Sequence, residues 1–235
     1  MKVIILAGGL GTRIAEETVD KPKPMVLIND KPILWHIMNI YASQGFNEFV
    51  IATGYMNEVI DNWVAGNTFP GWQIETLFTG LDTQTGGRIK KCAEHVDEPQ
   101  VMVTYGDGLA NVNLQNLIES HNKMGKLATI TAVRPPARFG VIESSNGLVT
   151  HFGEKNQTDV GWINGGFFVL ENQTSTFIGS DLEPFEMHAL PKLVRASELS
   201  VYHHEGFWQP MDTLREKQQL ENYAMEPTPP WMKNV

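Results

Sequence analysis

Hydrophobic residues in the first half of the chain follow two alternating rhythms. A continuous apolar run at 3–7 (Val3, Ile4, Ile5, Leu6, Ala7) reads as a buried strand. Over 32–44, Ile33, Leu34, Ile37, Met38 and Tyr41 recur at helical spacing, with Pro32 suited to a first turn and Gly45 as a stop. The alternation then repeats, with strands expected at 49–53, 74–79, 101–105 and 128–133, and helices at 56–65, 87–96 and 114–124. Repeated strand–helix units predict an α/β fold, a Rossmann-like, mostly parallel mixed sheet flanked by helices.

The rhythm changes after Pro135-Pro136. Strands are expected at 141–144, 148–152, 166–170 and 199–203, a short helix at 185–195 and a last helix at 213–223. The tail 227–235 holds three prolines and reads as an irregular arm. With no repeat, low-complexity tract or Ser/Gly linker, 1–235 is expected to be a single domain. It divides into a first half at 1–134, a β-rich C-terminal half at 135–226, and the arm.

Composition narrows the function. With 42% apolar and 19% charged residues the chain can bury a sizeable core. A net charge of −9 argues against general binding to nucleic acid or an anionic membrane, because phosphate-rich surfaces would repel it. The lone Cys92 excludes an internal disulfide and any Cys-based structural zinc site. No apolar run is long enough to span a membrane, and the apolar start meets Gly8-Gly9 too early for a signal peptide, so a cytoplasmic location is expected.

The first strand empties into Gly8-Gly9-Leu10-Gly11-Thr12-Arg13, with Lys21-Pro22-Lys23-Pro24-Met25 beyond. Glycines at that position let backbone N–H groups approach an anion. Ile14 breaks the dinucleotide fingerprint, and no Gly-Lys-Ser/Thr follows to make a P-loop. Instead Arg13 and Lys23 bracket the loop, as suits a polyphosphate whose charge shifts during reaction; a plain glycine turn in a solvated basic loop is the alternative. Asp107, in Tyr105-Gly106-Asp107-Gly108, follows a strand where open α/β sheets place ligands, so it is either a Mg²⁺ ligand or a turn former. Asp212 precedes the last predicted helix, where local spacing favours an N-cap. His203-His204-Glu205 lacks zinc spacing, no Gly-x-Ser-x-Gly elbow occurs, and Cys92 falls in a predicted helix as packing.

Taken together, these segments resemble the sugar-1-phosphate nucleotidylyltransferase family. The blocks that carry the resemblance are Ile5-Leu6-Ala7-Gly8-Gly9-Leu10-Gly11-Thr12-Arg13, Lys21-Pro22-Lys23-Pro24-Met25, Thr85-Gly86-Gly87-Arg88 and Thr104-Tyr105-Gly106-Asp107-Gly108. Arg138-Phe139-Gly140, Ile163-Asn164-Gly165-Gly166 and Gly206-Phe207-Trp208-Gln209-Pro210-Met211-Asp212-Thr213 follow in the same order. The resemblance is to the branch that transfers a cytidylyl group to glucose 1-phosphate. It implies a fold of nucleotide-diphospho-sugar transferase type, CTP and a hexose 1-phosphate as substrates, Mg²⁺ as cofactor, and a homo-oligomer. Residues 1–134 would bind the nucleotide and 135–226 the sugar phosphate.

The implied roles fall on particular residues. Leu6, Ala7, Gly8, Gly9, Gly11, Thr12, Arg13 and Lys23 would surround the nucleotide phosphates, with Arg13 and Lys23 catalytic. Thr83, Gly87 and Arg88 would sit by the cytidine, and Gly106, Lys155, Asn164, Gly165 and Gly166 by the sugar phosphate. Asp107 and Asp212 would be the metal pair, which sets the resemblance against the local N-cap reading of Asp212. The chain departs from the family pattern in a short 55–79 segment, in Asn156 where proline is usual, and in Phe185-Glu186 followed by His188-Ala189-Leu190. The same chemistry on another nucleotide or sugar phosphate, and a catalytically idle nucleotide-sugar binder, stand as alternatives.

Overall fold

The apolar runs at 3–7, 49–53, 101–105 and 128–133 fold as largely buried strands, whereas the one at 74–79 becomes a partly exposed edge strand. The computed structural model describes residues 1–135, 140–145, 147–154 and 161–233. In chain order the first half contains β1 (Val3–Leu6), β2 (Leu27–Ile28), β3 (Lys31–Pro32), α1 (Ile33–Ala42), β4 (Glu48–Thr53), α2 (Asn57–Gly66), β5 (Gln73–Phe78), α3 (Thr85–Val96), β6 (Gln100–Tyr105), β7 (Gly108–Ala110), α4 (Leu114–Met124) and β8 (Ala128–Val133). The second half contains β9 (Gly140–Ser145), β10 (Leu148–Glu154), β11 (Ile163–Glu171), α5 (Leu190–Arg195), β12 (Leu199–His204), β13 (Trp208–Pro210) and α6 (Leu214–Ala224).

Seven strands form one sheet in the order β12-β8-β11-β6-β1-β4-β5. β11 pairs antiparallel with both β6 and β8, and every other pairing in the sheet is parallel. The mostly parallel mixed sheet expected from the sequence is the sheet observed. Side chains alternate across it as the pleat requires. Val3 and Ile5 face a core built with α1, α4 and Trp231, whereas Ile4 and Leu6 face one built with α3 and α5.

Parallel pairing aligns strand ends. Leu6 lies level with Ala52 and Tyr105, so the loops after β1, β4 and β6 open on the same edge of the sheet. Ligands of open α/β sheets collect at that carboxyl edge.

Several features were not predicted, among them the antiparallel pairing of β7 with β13. The β2–β3 hairpin turns on Asn29 and Asp30, both at positive φ (48° and 64°), the pair of left-handed residues that a tight hairpin turn requires. The helix expected at 185–195 opens instead as a π-helical turn, Phe185–Ala189, before continuing as α5. No helix among the described residues is long and apolar enough to cross a membrane.

The proline-rich arm carries one fully buried side chain. Trp231 is 1% exposed and meets the His36 ring edge-on at 5.5 Å. Burial lowers the His36 pKa, and its Nε2 donates to the Ile28 carbonyl at 2.9 Å, so a neutral ring lies between hairpin and arm. Trp231→Ala is expected to cost about 3–5 kcal/mol, the usual cost of emptying a buried aromatic site. Urea unfolding measures it, and a loss under about 1 kcal/mol would show that the arm is not a structural part of the core.

Candidate active site

The carboxyl edge opens into a cavity of about 1720 Å³, larger than the roughly 300–1,000 Å³ of ordinary ligand pockets and roomy enough for two substrates. Its walls come from the loops after β1, β4, β5 and β6, together with Asn164 of β11, Trp208 and Pro210 of β13, and Glu186.

The glycine loop is set from behind by Arg88. This side chain is 4% exposed, and its Nη2 donates to the Gly8 carbonyl at 3.0 Å. Its Nη1 donates to the Thr53 carbonyl at 2.9 Å and to Thr79 Oγ1 at 2.5 Å. The guanidinium thus ties together the ends of β1, β4 and β5. It also explains the residue type at position 8, where a Cβ would stand 2.2 Å from Arg88 Nη1. Tyr55 N–H donates to the same Gly8 carbonyl at 3.4 Å. With that carbonyl turned inward, the trans peptide points the Gly9 N–H away from the guanidinium. Gly11 closes the loop at φ 65°, a left-handed conformation that favours glycine. Burial lowers the Arg88 pKa, yet its acceptors are neutral oxygens, so the cation stands behind the loop as fixed positive charge.

In front of the loop lies an ionic cluster. Lys23 Nζ donates to Asp107 Oδ2 at 2.6 Å and to Asp212 Oδ1 at 2.7 Å. Arg13 Nη1 donates to Asp212 Oδ2 at 2.6 Å. Lys23 sits in a short 3₁₀ turn, Lys23–Met25, and is 7% exposed. Two carboxylates 105 residues apart in the chain therefore converge on one ammonium group. The N-cap reading of Asp212 is corrected: Thr213 caps α6, its side chain accepting from Glu216 N at 3.2 Å, while Asp212 N donates to Glu216 Oε2 at 2.8 Å. Relieved of capping, the Asp212 carboxylate turns into the cavity.

Most of the residues named from the sequence meet here. Leu6, Ala7, Gly8, Gly9, Gly11, Thr12, Arg13, Lys23, Thr83, Arg88, Gly106, Asp107, Asn164 and Asp212 all line the cavity. Gly87, Gly165 and Gly166 do not. Gly87 lies against Asp181, Gly165 against Val133, and Gly166, at φ 80°, against the Tyr105 ring, each leaving no room for a Cβ. Lys155 and Arg138-Phe139 lie outside the described residues. Cys92 is fully buried, and burial pushes its thiol up to about 12, which removes it as a nucleophile. Sequence reasoning gave no role to Tyr105 or Glu186, which both line the cavity. Glu186 stood only within a segment that departs from the family pattern around it, and nothing local marked it as a site residue.

Lys23→Met takes the cation from between two carboxylates. The substrate-free protein is expected to lose about 2 kcal/mol, between the values for exposed and for fully buried pairs. Adding Asp212→Asn should restore part of that loss in urea unfolding. An unchanged midpoint in Lys23→Met would mean that the ammonium does not hold the pair.

Residues 2–214 match the nucleotidyl transferase family. The chain is 43% identical to the glucose-1-phosphate cytidylyltransferase of Salmonella typhi, with 98% of each chain covered. It is 40% identical to the probable glucose-1-phosphate cytidylyltransferase of Bacillus subtilis, with 92% of each covered. The fold is similar to HddC from Yersinia pseudotuberculosis complexed with GMP-PN, at a TM-score of 0.76 and 24% identity over 94% of this chain and 98% of that one. With a glycine loop, two flanking cations and a converging acidic pair on the edge of a mostly parallel sheet, and with this match over most of its length, the chain belongs to the nucleotidyl transferase family.

Proposed function

We propose that this nucleotidyltransferase uses CTP and α-D-glucose 1-phosphate to form CDP-glucose and pyrophosphate. The convergence of Arg13, Lys23, Asp107 and Asp212 at the mouth of the glycine loop carries the reaction class. The 43% identity to the Salmonella typhi enzyme over nearly the whole chain supports the substrate pair.

In the proposed reaction an oxygen of the sugar phosphate attacks the α-phosphorus of CTP in line. The bond from that phosphorus to the bridging oxygen breaks, and pyrophosphate leaves. The attacking phosphate is already ionised near neutral pH, so no strong general base is needed. Catalysis then consists of alignment and of positive charge placed where negative charge grows. The N–H groups of Gly8, Gly9 and Gly11, with Thr12, hold the triphosphate, while Leu6 and Ala7 form the wall beneath it. Arg13 and Lys23 supply mobile charge on the phosphates, and Arg88 supplies fixed charge from behind the loop. Thr83 borders the cytidine, and Gly87 and Arg88 act by shaping that wall. Gly106, Asn164 and Lys155 serve the sugar phosphate, and Gly165 and Gly166 act by letting β11 pack closely behind Asn164. On this reading residues 1–134 form the nucleotide half and 135–226 the sugar half, and the working form is a homo-oligomer.

The acidic pair fits a divalent cation. Asp107 and Asp212 are hard oxygen donors already drawn to one point by a cation, the Lys23 ammonium. Among the described residues no group of three or more His, Cys, Asp or Glu gathers to hold a metal. Two carboxylates, with substrate phosphates and water completing the shell, suit Mg²⁺. Held by Asp107 and Asp212, Mg²⁺ would neutralise phosphate charge during transfer.

A pyrophosphate-release screen across CTP, UTP, GTP, ATP and dTTP with several hexose 1-phosphates tests the assignment. CTP with glucose 1-phosphate should exceed any other pair by at least about tenfold, roughly 1.4 kcal/mol of transition-state preference. Equal or faster turnover with another nucleotide or sugar would overturn the substrate pair, and no turnover with any pair would leave an idle binder.

A further inference from the structure

A second polar cluster stands in the cavity, built around a different charge. Glu186 Oε2 accepts from Thr85 Oγ1 at 2.7 Å, and its Oε1 accepts from the Tyr105 hydroxyl. Tyr105 Oη in turn accepts from Asn164 Nδ2 at 2.9 Å. Thr85 Oγ1 also accepts from Phe185 N–H at 2.8 Å, so the threonine clamps both the backbone and the carboxylate of this turn. Both Glu186 oxygens are thus held in place by hydroxyls. Among the described residues no ion pair with a lysine or arginine involves Glu186.

Two physical points follow. A carboxylate without a paired cation, in a cavity that receives phosphates, repels the charged part of any substrate. It can serve only a neutral part, and as an acceptor-only group it needs O–H or N–H donors there. Its backbone setting is also unusual, since Glu186 is carried on the π-helical turn Phe185–Ala189. Such turns are rare and are found at functional sites.

Position selects the donor. Tyr105 ends β6 two residues before Asp107, and both line the cavity. The Tyr105 hydroxyl accepts from Asn164 and donates to Glu186, so its direction is fixed by its two partners. Asn164, the third member of the chain, lies on β11 in the half given above to the sugar.

We infer that Glu186 is the specificity-determining ligand for a hydroxyl of the hexose, and that Tyr105 and Thr85 are positioning residues that hold its carboxylate. The inference rests on the reading that a hexose 1-phosphate is the second substrate. It adds to that reading a residue outside the phosphate and metal machinery.

The test compares kcat/KM for glucose 1-phosphate and its 2-, 3-, 4- and 6-deoxy analogues in wild type, Glu186→Ala and Glu186→Gln. In wild type, removing the hydroxyl that Glu186 binds should lower kcat/KM by about 10–100-fold, the range for a hydrogen bond to a charged group. In Glu186→Ala that one penalty should shrink to under about threefold, with the other analogues and the KM for CTP unmoved. Glu186→Gln, equal in size and able to fold where alanine fails, should show the same selective shrinkage to a smaller degree. Tyr105→Phe should raise KM for the sugar phosphate more than it lowers kcat. Identical analogue penalties in wild type and both Glu186 variants would overturn the inference. So would a loss of preference for CTP over UTP with the sugar penalties intact, because the carboxylate would then be reading the base amine. If wild type prefers another hexose 1-phosphate, the substrate pair proposed above fails by itself, and the deoxy series of the preferred sugar still decides the role of Glu186.

Discussion

One ammonium group holds the site together. Lys23 reaches from a short turn after the glycine loop to a carboxylate at the end of β6 and another just before α6. Asp107 and Asp212 would repel each other at this separation in a half-buried setting; with Lys23 between them the three segments close on one point. The N-terminal loop, the central strand and the C-terminal helix thus share a single electrostatic contact. Arg13 extends it to the outer side of Asp212. On the proposed reading the same cations would meet a triphosphate, and the same carboxylates a divalent ion. In the substrate-free protein each set neutralises the other.

Arg88 makes this arrangement possible without touching it. Its guanidinium links the ends of three strands and fills the space beneath Gly8 that any larger residue would claim. The loop in front can therefore be thin, bare and fixed in orientation, which is what a backbone anion site requires. The resemblance placed Arg88 beside the cytidine. In the substrate-free structure it lines the cavity and donates four hydrogen bonds to protein oxygens, which fixes the shape of the loop.

Much of the fold was legible because its signals are local. The run Val3, Ile4, Ile5, Leu6 is apolar on both faces, which only a doubly covered strand tolerates, and Leu114–Met124 is observed as the helix its spacing predicts. The β2–β3 hairpin escaped because two-residue strands leave no periodicity to read. The π-helical turn escaped because Phe185, Ala189 and Leu193 keep ordinary helical spacing. In the site, the glycine loop and its cations are contiguous in sequence and could be recognised there. Asp212 looked like a helix cap because Thr213, the true cap, is its neighbour. Glu186 had no local mark at all: its partners Thr85 and Tyr105 are 101 and 81 residues away, and only the tertiary fold brings them together.

The acidic pair is tested most directly by Mn²⁺ binding followed by electron paramagnetic resonance, in the presence of CTP and without the sugar phosphate. Wild type is expected to hold the ion, and Asp107→Asn and Asp212→Asn each to weaken binding by at least about tenfold, as loss of one of two carboxylate ligands should. Undiminished Mn²⁺ affinity in either variant, in a protein that still binds CTP, would contradict the assignment of that carboxylate to the metal.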